Sequence, residues 1–139
     1  MSAEDEVRAR VEELYTAMSS ADGRFIHDYL ADSDEVVVLG TDPDEWWEGH
    51  ADAARVWAAQ LGELEGLRIE AGPLRIRAHG DVAWVVDRPT VSMPDGSEGP
   101  PLRLTAVLAK EGGSWRAVHS HASIGVPNAE IFDEELTVS

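Results

Sequence analysis

The chain has 139 residues, carries 27 acidic side chains against 11 basic ones, and has a formal net charge of −16. A surface this acidic repels phosphate backbones and anionic bilayers at long range, so nucleic acid and membranes are not expected partners. The absence of cysteine removes disulfides and thiolate zinc sites, and MSAEDEVRAR has neither the basic start nor the apolar run of a secretory signal, which predicts a soluble, cytoplasmic protein forming one domain over residues 1–139.

Val7, Val11, Leu14 and Met18 recur at helical spacing, with Ser2 placed as a cap and Glu4, Asp5 and Glu6 set against the positive end of the helix dipole. SADG breaks this first helix, and Phe25, Ile26, Tyr29 and Leu30 give a second, shorter one its apolar face. EVVVLG, residues 35–40, is a short β-branched run that predicts a buried strand. The acidic loop TDPDEWWEG follows, and Ala54, Trp57, Ala58, Leu61 and Leu64 then mark a third helix whose end meets Gly66. Beyond it the period turns extended: residues 67–78, 81–93, 101–110 and 114–124 read as four strands, with a bulge at Gly72-Pro73 and hairpin turns at HGD, PDGSEGP and EGG. From about residue 128 the chain is acidic and reads as a short helix and a loose tail.

Helices followed by a strand meander specify an α+β fold: a cone-shaped, strongly curved antiparallel sheet, made of one short strand plus a four-stranded meander, packed against three amino-terminal helices. Such a cone leaves a cavity at its open end. GTDPDEWWEG, the stretch LRLTAVLAKEGGSWRAVHSHAS and the two-helix opening together resemble the nuclear transport factor 2-like superfamily, in its SnoaL-like branch, over about residues 5–127. Trp115 and the His-x-His-x-Ser of 119–123 also resemble the association domain of calcium/calmodulin-dependent protein kinases, a non-catalytic branch. The resemblance implies a cone with a pocket and a dimer formed across the sheet. It implies no single activity, because that fold hosts isomerases, cyclases, dehydratases, epoxide hydrolases and plain binding modules.

In RAVHSHAS, straight strand alternation puts His119, His121 and Ser123 on one face and Val118, Ser120 and Ala122 on the other. Facing the cavity, the imidazoles are hydrogen-bonding groups for a carbonyl or hydroxyl of a ligand; otherwise they are satisfied by neighbouring strands. A metal needs a third ligand, which Asp87 or His79 could bring only by accident of the fold, so no metal is expected. Ser123 lacks an acid aligned with His121 and is a pocket residue rather than a nucleophile. Arg103 shares a strand face with Thr105 and either gives the pocket a positive charge or faces solvent or a dimer partner. Asp87 ends the apolar run VAWVV; at the edge of an apolar cavity it is a candidate general base, the alternative being an ion pair with Arg88 or Arg103.

Tyr15 falls where ketosteroid-isomerase-like relatives place an oxyanion-stabilising tyrosine. The catalytic aspartate of those relatives is matched here by Leu39 or Gly40, so that mechanism does not carry over. Of Trp46 and Trp47, one packs on the cone and the other roofs its mouth, Trp47 being placed in the pocket. The sequence therefore predicts a protein that binds a small organic molecule and pairs with a second copy through its sheet. If it is an enzyme, it is a cofactor-free isomerase, cyclase or dehydratase with Asp87 or His121 as base and Arg103 or Tyr15 stabilising the oxyanion; the alternative is a non-catalytic binding or association module.

Overall fold

A computed structural model describes residues 1–138 of the chain. Helix α1 (Ala3–Ser19) starts in a capping box, in which the Ser2 hydroxyl accepts from the Asp5 N–H and the Asp5 carboxylate accepts from the Ser2 N–H. Helix α2 (Gly23–Tyr29) follows, and α3 (His50–Glu63) begins four residues before Ala54, the first residue of its apolar stripe. The main sheet contains β1 (Val37–Leu39), β2 (Trp46–Glu48), β4 (Arg75–His79), β5 (Val82–Asp87), β7 (Leu102–Glu111) and β8 (Ser114–Ile124), in the order β2-β1-β8-β7-β5-β4. It is mixed rather than purely antiparallel, because β1 runs parallel to β8. β3 (Arg68–Glu70) and β6 (Thr90–Ser92) pair with each other as a separate two-stranded ribbon, and α4 (Asn128–Phe132) lies beyond β8.

The expected strands over 67–78 and 81–93 are thus each divided in two. Proline has no N–H for a ladder, and Pro73 and Pro89 fall at the two breaks. The loop expected around Trp46 and Trp47 contains β2, which pairs with β1 through Val38 and Trp47. Gly112 and Gly113, with φ of 57° and 85°, form the two-residue turn between β7 and β8, a conformation that L side chains rarely adopt.

The helices cover one face of the sheet. Val7, Val11 and Leu14 of α1, Ile26 and Tyr29 of α2 and Leu61 of α3 are buried with Val38, Ile76, Val85, Leu104, Ala106 and Leu108 in one core. Arg10 joins the same layers by polar contacts, donating to the Trp115 carbonyl at 2.8 Å and the Asp28 carboxylate at 2.7 Å, with its guanidinium 5.0 Å from the Phe25 ring centroid.

The two faces are sorted by a single irregularity in β8. Val107 pairs with His119 and Leu108 with Ala117, so Val118 has no partner and forms a bulge. Trp115 and Ala117 point into the core; unbroken alternation would continue inward with His119, His121 and Ser123. The extra residue reverses the phase. Ser120 and Ala122 pair with the inward Ala106 and Leu104, whereas His119, His121 and Ser123 pair with Val107, Thr105 and Arg103 on the outer face.

Deleting Val118 is expected to cost about 3 kcal/mol or more in urea unfolding, because it drives two imidazoles into the core side of the sheet. Val118→Ala keeps the residue count and is expected to cost less than about 1.5 kcal/mol. Equal losses for the two variants would show that the bulge does not set the phase.

Candidate functional site

Asp87 closes β5 on the helix-covered face and is buried at 2% exposure. Its Oδ2 accepts from the Tyr15 hydroxyl at 2.7 Å, and its Oδ1 accepts from the Arg88 N–H at 2.8 Å and the Gly72 N–H at 3.1 Å. The carboxylate is therefore held by backbone and phenol, not by an arginine side chain. Tyr15 and Asp87, 72 positions apart in sequence, form the one contact that the structure makes between the sequence-predicted residues on this face. Burial, followed by the hydrogen bond and the negative charge of Asp87, pushes the Tyr15 phenol above its ordinary value.

Gly72 belongs to this constellation, although the sequence marks it only as a bulge. A Cβ there would lie 2.1 Å from the Arg88 carbonyl oxygen, so only glycine lets the β3–β4 connection approach β5 closely enough to donate to Asp87.

Tyr15 also borders an open cleft of about 520 Å³ between α1 and β3, whose other lining includes Glu12, Thr16, Ser20, Arg68 and Glu70. Hydroxyls and charges of both signs share the lining with Ile69 and Ala71, so this concavity is mixed in character rather than the apolar cavity expected from the sequence. The core side of the cone is packed with the side chains described above.

Arg103, His119, His121 and Ser123 do not join Tyr15 and Asp87. They stand on the outer face of the sheet, where Arg103 Nε donates to the Ser123 hydroxyl at 3.1 Å and the His119 ring nitrogen Nδ1 is 2.8 Å from the Val37 carbonyl oxygen. The expectation that these four side chains line the interior of the cone is corrected: the bulge at Val118 turns His119, His121 and Ser123 outward, and the alternation of β7 with inward Leu104 and Ala106 puts Arg103 on the same outer face. Trp47, placed in the pocket by the sequence, is partly buried against the core, whereas Trp46 is 63% exposed. His119 and His121 have ring centroids 6.4 Å apart, but His79 is stacked on Trp84 and Asp87 is on the opposite face, so neither supplies a third metal ligand. Among the described residues no three His, Asp or Glu side chains are grouped to hold a metal ion.

Ser120 escaped the sequence reading. Among the described residues it is the other buried polar residue besides Asp87, at 3% exposure, and it sits on the core face between Val38 and Ala106. The inward phase of Leu104 and Leu108 on β7 was the available signal, but it reveals Ser120 only when the cross-strand register is known.

Two outcomes follow from this geometry. Asp87→Ala is expected to destabilise by roughly 2–4 kcal/mol in chemical unfolding, since it orphans the Tyr15 hydroxyl and the Gly72 N–H, and Tyr15→Phe by about 1 kcal/mol, with coupling in the double-mutant cycle. The chain has two tyrosines, Tyr15 and Tyr29, and burial raises both phenols in the fold. The folded state then keeps protons that the unfolded state releases near pH 10. This stability is fully present below about pH 10 and is lost as pH rises above it, by up to about 2.7 kcal/mol per pH unit for two protons. Phenolate absorbance should appear only with unfolding; titration of either tyrosine near pH 10 in the folded protein would contradict it.

The SnoaL-like domain family model matches residues 7–127. No curated protein matches the chain. Among solved structures, an NTF2-like protein of unknown function from Pseudomonas putida KT2440 is 25% identical with a TM-score of 0.77, over 87% of this chain and 85% of that one. A dehydratase candidate of the NTF2-like family from Streptomyces avermitilis is 16% identical with a TM-score of 0.79, over 88% and 96%. A candidate calcium/calmodulin-dependent protein kinase type II association domain from Thiobacillus denitrificans ATCC 25259 is 21% identical with a TM-score of 0.75, over 86% and 94%. The last two likenesses concern the fold alone. With 121 consecutive residues matched, and an α+β architecture shared with neighbours described as having a cystatin-like fold, the chain belongs to the SnoaL-like family of NTF2-like proteins.

Proposed function

We propose that the protein is a homodimeric association module, joined through the outer face of its sheet. The observation that carries this reading is the composition of that face. Trp46, Leu39, His121, Thr105 and Val86 lie side by side across five strands, with Val37, His119, Val107 and Trp84 in the adjoining row. Val82, Trp84 and Val86 are 46%, 44% and 45% exposed. On a chain of net charge −16, a contiguous apolar and imidazole surface is a poor solvent face and a good contact face. A two-fold pairing of such sheets brings each imidazole pair into the interface, where the rings can hydrogen-bond across it.

The fixed polar network around Asp87 supports the same reading against catalysis. A proton bound by Asp87 would have to compete with three donors already in place, and His121 is on the other side of the sheet. Trp46→Glu with Thr105→Lys, in the part of the outer-face row away from β4 and β5, is expected to weaken self-association at least about 100-fold in sedimentation equilibrium, with unchanged circular dichroism. A wild-type protein that stays monomeric at 100 µM overturns the assignment.

A second reading has its own observation, the open cleft beside Tyr15. There a small organic molecule bearing hydroxyl or carbonyl groups is met by Thr16, Ser20 and Arg68, and by the oxygen of Tyr15, which Asp87 holds in position. Any cofactor-free isomerisation, dehydration or cyclisation would then act through Tyr15 and Asp87 rather than through His121. In ligand-observed NMR with a library of small hydroxy acids and ketones, binders are expected to be lost in Arg68→Glu and retained in His121→Ala; the reverse pattern would remove the cleft as the site.

A further inference from the structure

We infer that in the dimer, whose sheet-to-sheet contact is centred on β1, β8 and β7, the carboxyl-terminal segment, residues 126–138, crosses to the partner and docks over the flank of its sheet formed by β5 and β4. The inference rests on the dimer proposed above and adds a second, swapped contact to it.

The segment is an interface without a partner inside its own protomer. No residue of α4 is buried, and Val126, Ile131, Phe132 and Leu136 are 50%, 60%, 59% and 45% exposed. Between these apolar side chains stand Glu130, Asp133, Glu134 and Glu135, none of which forms an ion pair among the described residues. A short helix bearing two neighbouring exposed large apolar groups is not stabilised by water or by its own length; it needs a surface to lie on.

The complementary surface is on the sheet. Arg75 and Arg77 project from the edge strand β4 on the outer face, paired with Val86 and Trp84 of β5, and Arg88 and Arg103 are exposed at the same end of the sheet as the exit of β8. Among the described residues none of these four arginines has a carboxylate partner within ion-pair distance. Four of the eleven basic residues of a strongly acidic protein therefore gather unpaired beside exposed Trp84 and Val86, and four unpaired acids gather beside exposed Ile131 and Phe132. Sign and apolarity match on both sides. Reach is sufficient: with the five residues of α4 helical and the other eight extended, the segment spans up to about 35 Å, and packed sheets are separated by about 10 Å.

The absence of cysteine makes the test clean. Full-length Phe132→Cys and Val86→Cys proteins are mixed and oxidised mildly, with Phe132→Cys plus Arg55→Cys, on the far helix α3, as control. A mixed disulfide dimer forming at least about tenfold faster for the Val86 pair than for the control is the expected result. Equal rates, or a double variant Phe132→Cys/Val86→Cys that closes only within one chain, overturn the crossing. Because Ile131, Phe132 and the acids are exposed, Ile131→Ala/Phe132→Ala and Glu130→Gln/Asp133→Asn/Glu134→Gln/Glu135→Gln leave the fold intact. Each is expected to raise the dimer dissociation constant about tenfold or more, the second with loss of the salt dependence. A wild-type dimer with both variants unaffected refutes the segment's role alone, whereas a wild-type monomer refutes the dimer and the crossing together.

Discussion

A one-residue insertion in a central strand governs what this protein can touch. β8 lies between β1 and β7, and the extra residue at Val118 shifts its remaining pairing by one position. Because strand side chains alternate with a period of two, the shift exchanges faces for every residue from His119 to the strand end. Small Ser120 and Ala122 go to the core, where they fit against Ala106 and Leu104; two imidazoles and a hydroxyl go to the surface. Without the bulge the core would have to desolvate both rings, at a cost that packed aliphatic neighbours could not offset.

The second constraint is the Asp87 carboxylate, which ties three segments that are distant in sequence. One oxygen holds Tyr15 of α1, and the other holds the Gly72 and Arg88 backbones, where the strand ribbon β3–β6 departs from the main sheet. A buried carboxylate with fixed donors acts as a rigid joint between these segments. Gly72 completes the joint by lacking a Cβ where the Arg88 carbonyl passes.

These two constraints divide the molecule into surfaces of different character. The helix side is closed by apolar packing and bears an open cleft beside Tyr15, while the opposite side of the sheet exposes tryptophan, valine, histidine and the arginines of β4, which are unpaired among the described residues. The acidic surplus is spread over the helices, loops and tail. Charge and hydropathy are thus sorted by face on a chain of net charge −16.

The family resemblance, the α+β order, the helix stripe of Val7, Val11 and Leu14, the Ser2 cap and the turn at Gly112-Gly113 were all legible in the sequence, because each depends on residues near one another along the chain. The breaks at Pro73 and Pro89 were visible as residues but not as boundaries between two sheets, since their effect depends on which strand lies alongside. The Tyr15–Asp87 contact spans 72 positions, and the outward turn of His119 and His121 depends on a register between β7 and β8 that no local pattern encodes. By itself the sequence determined which groups are available and which segments are helical or extended. Only the tertiary structure decided which face each group serves, because one unpaired residue in a central strand changes the phase of side chains whose local sequence is compatible with either side.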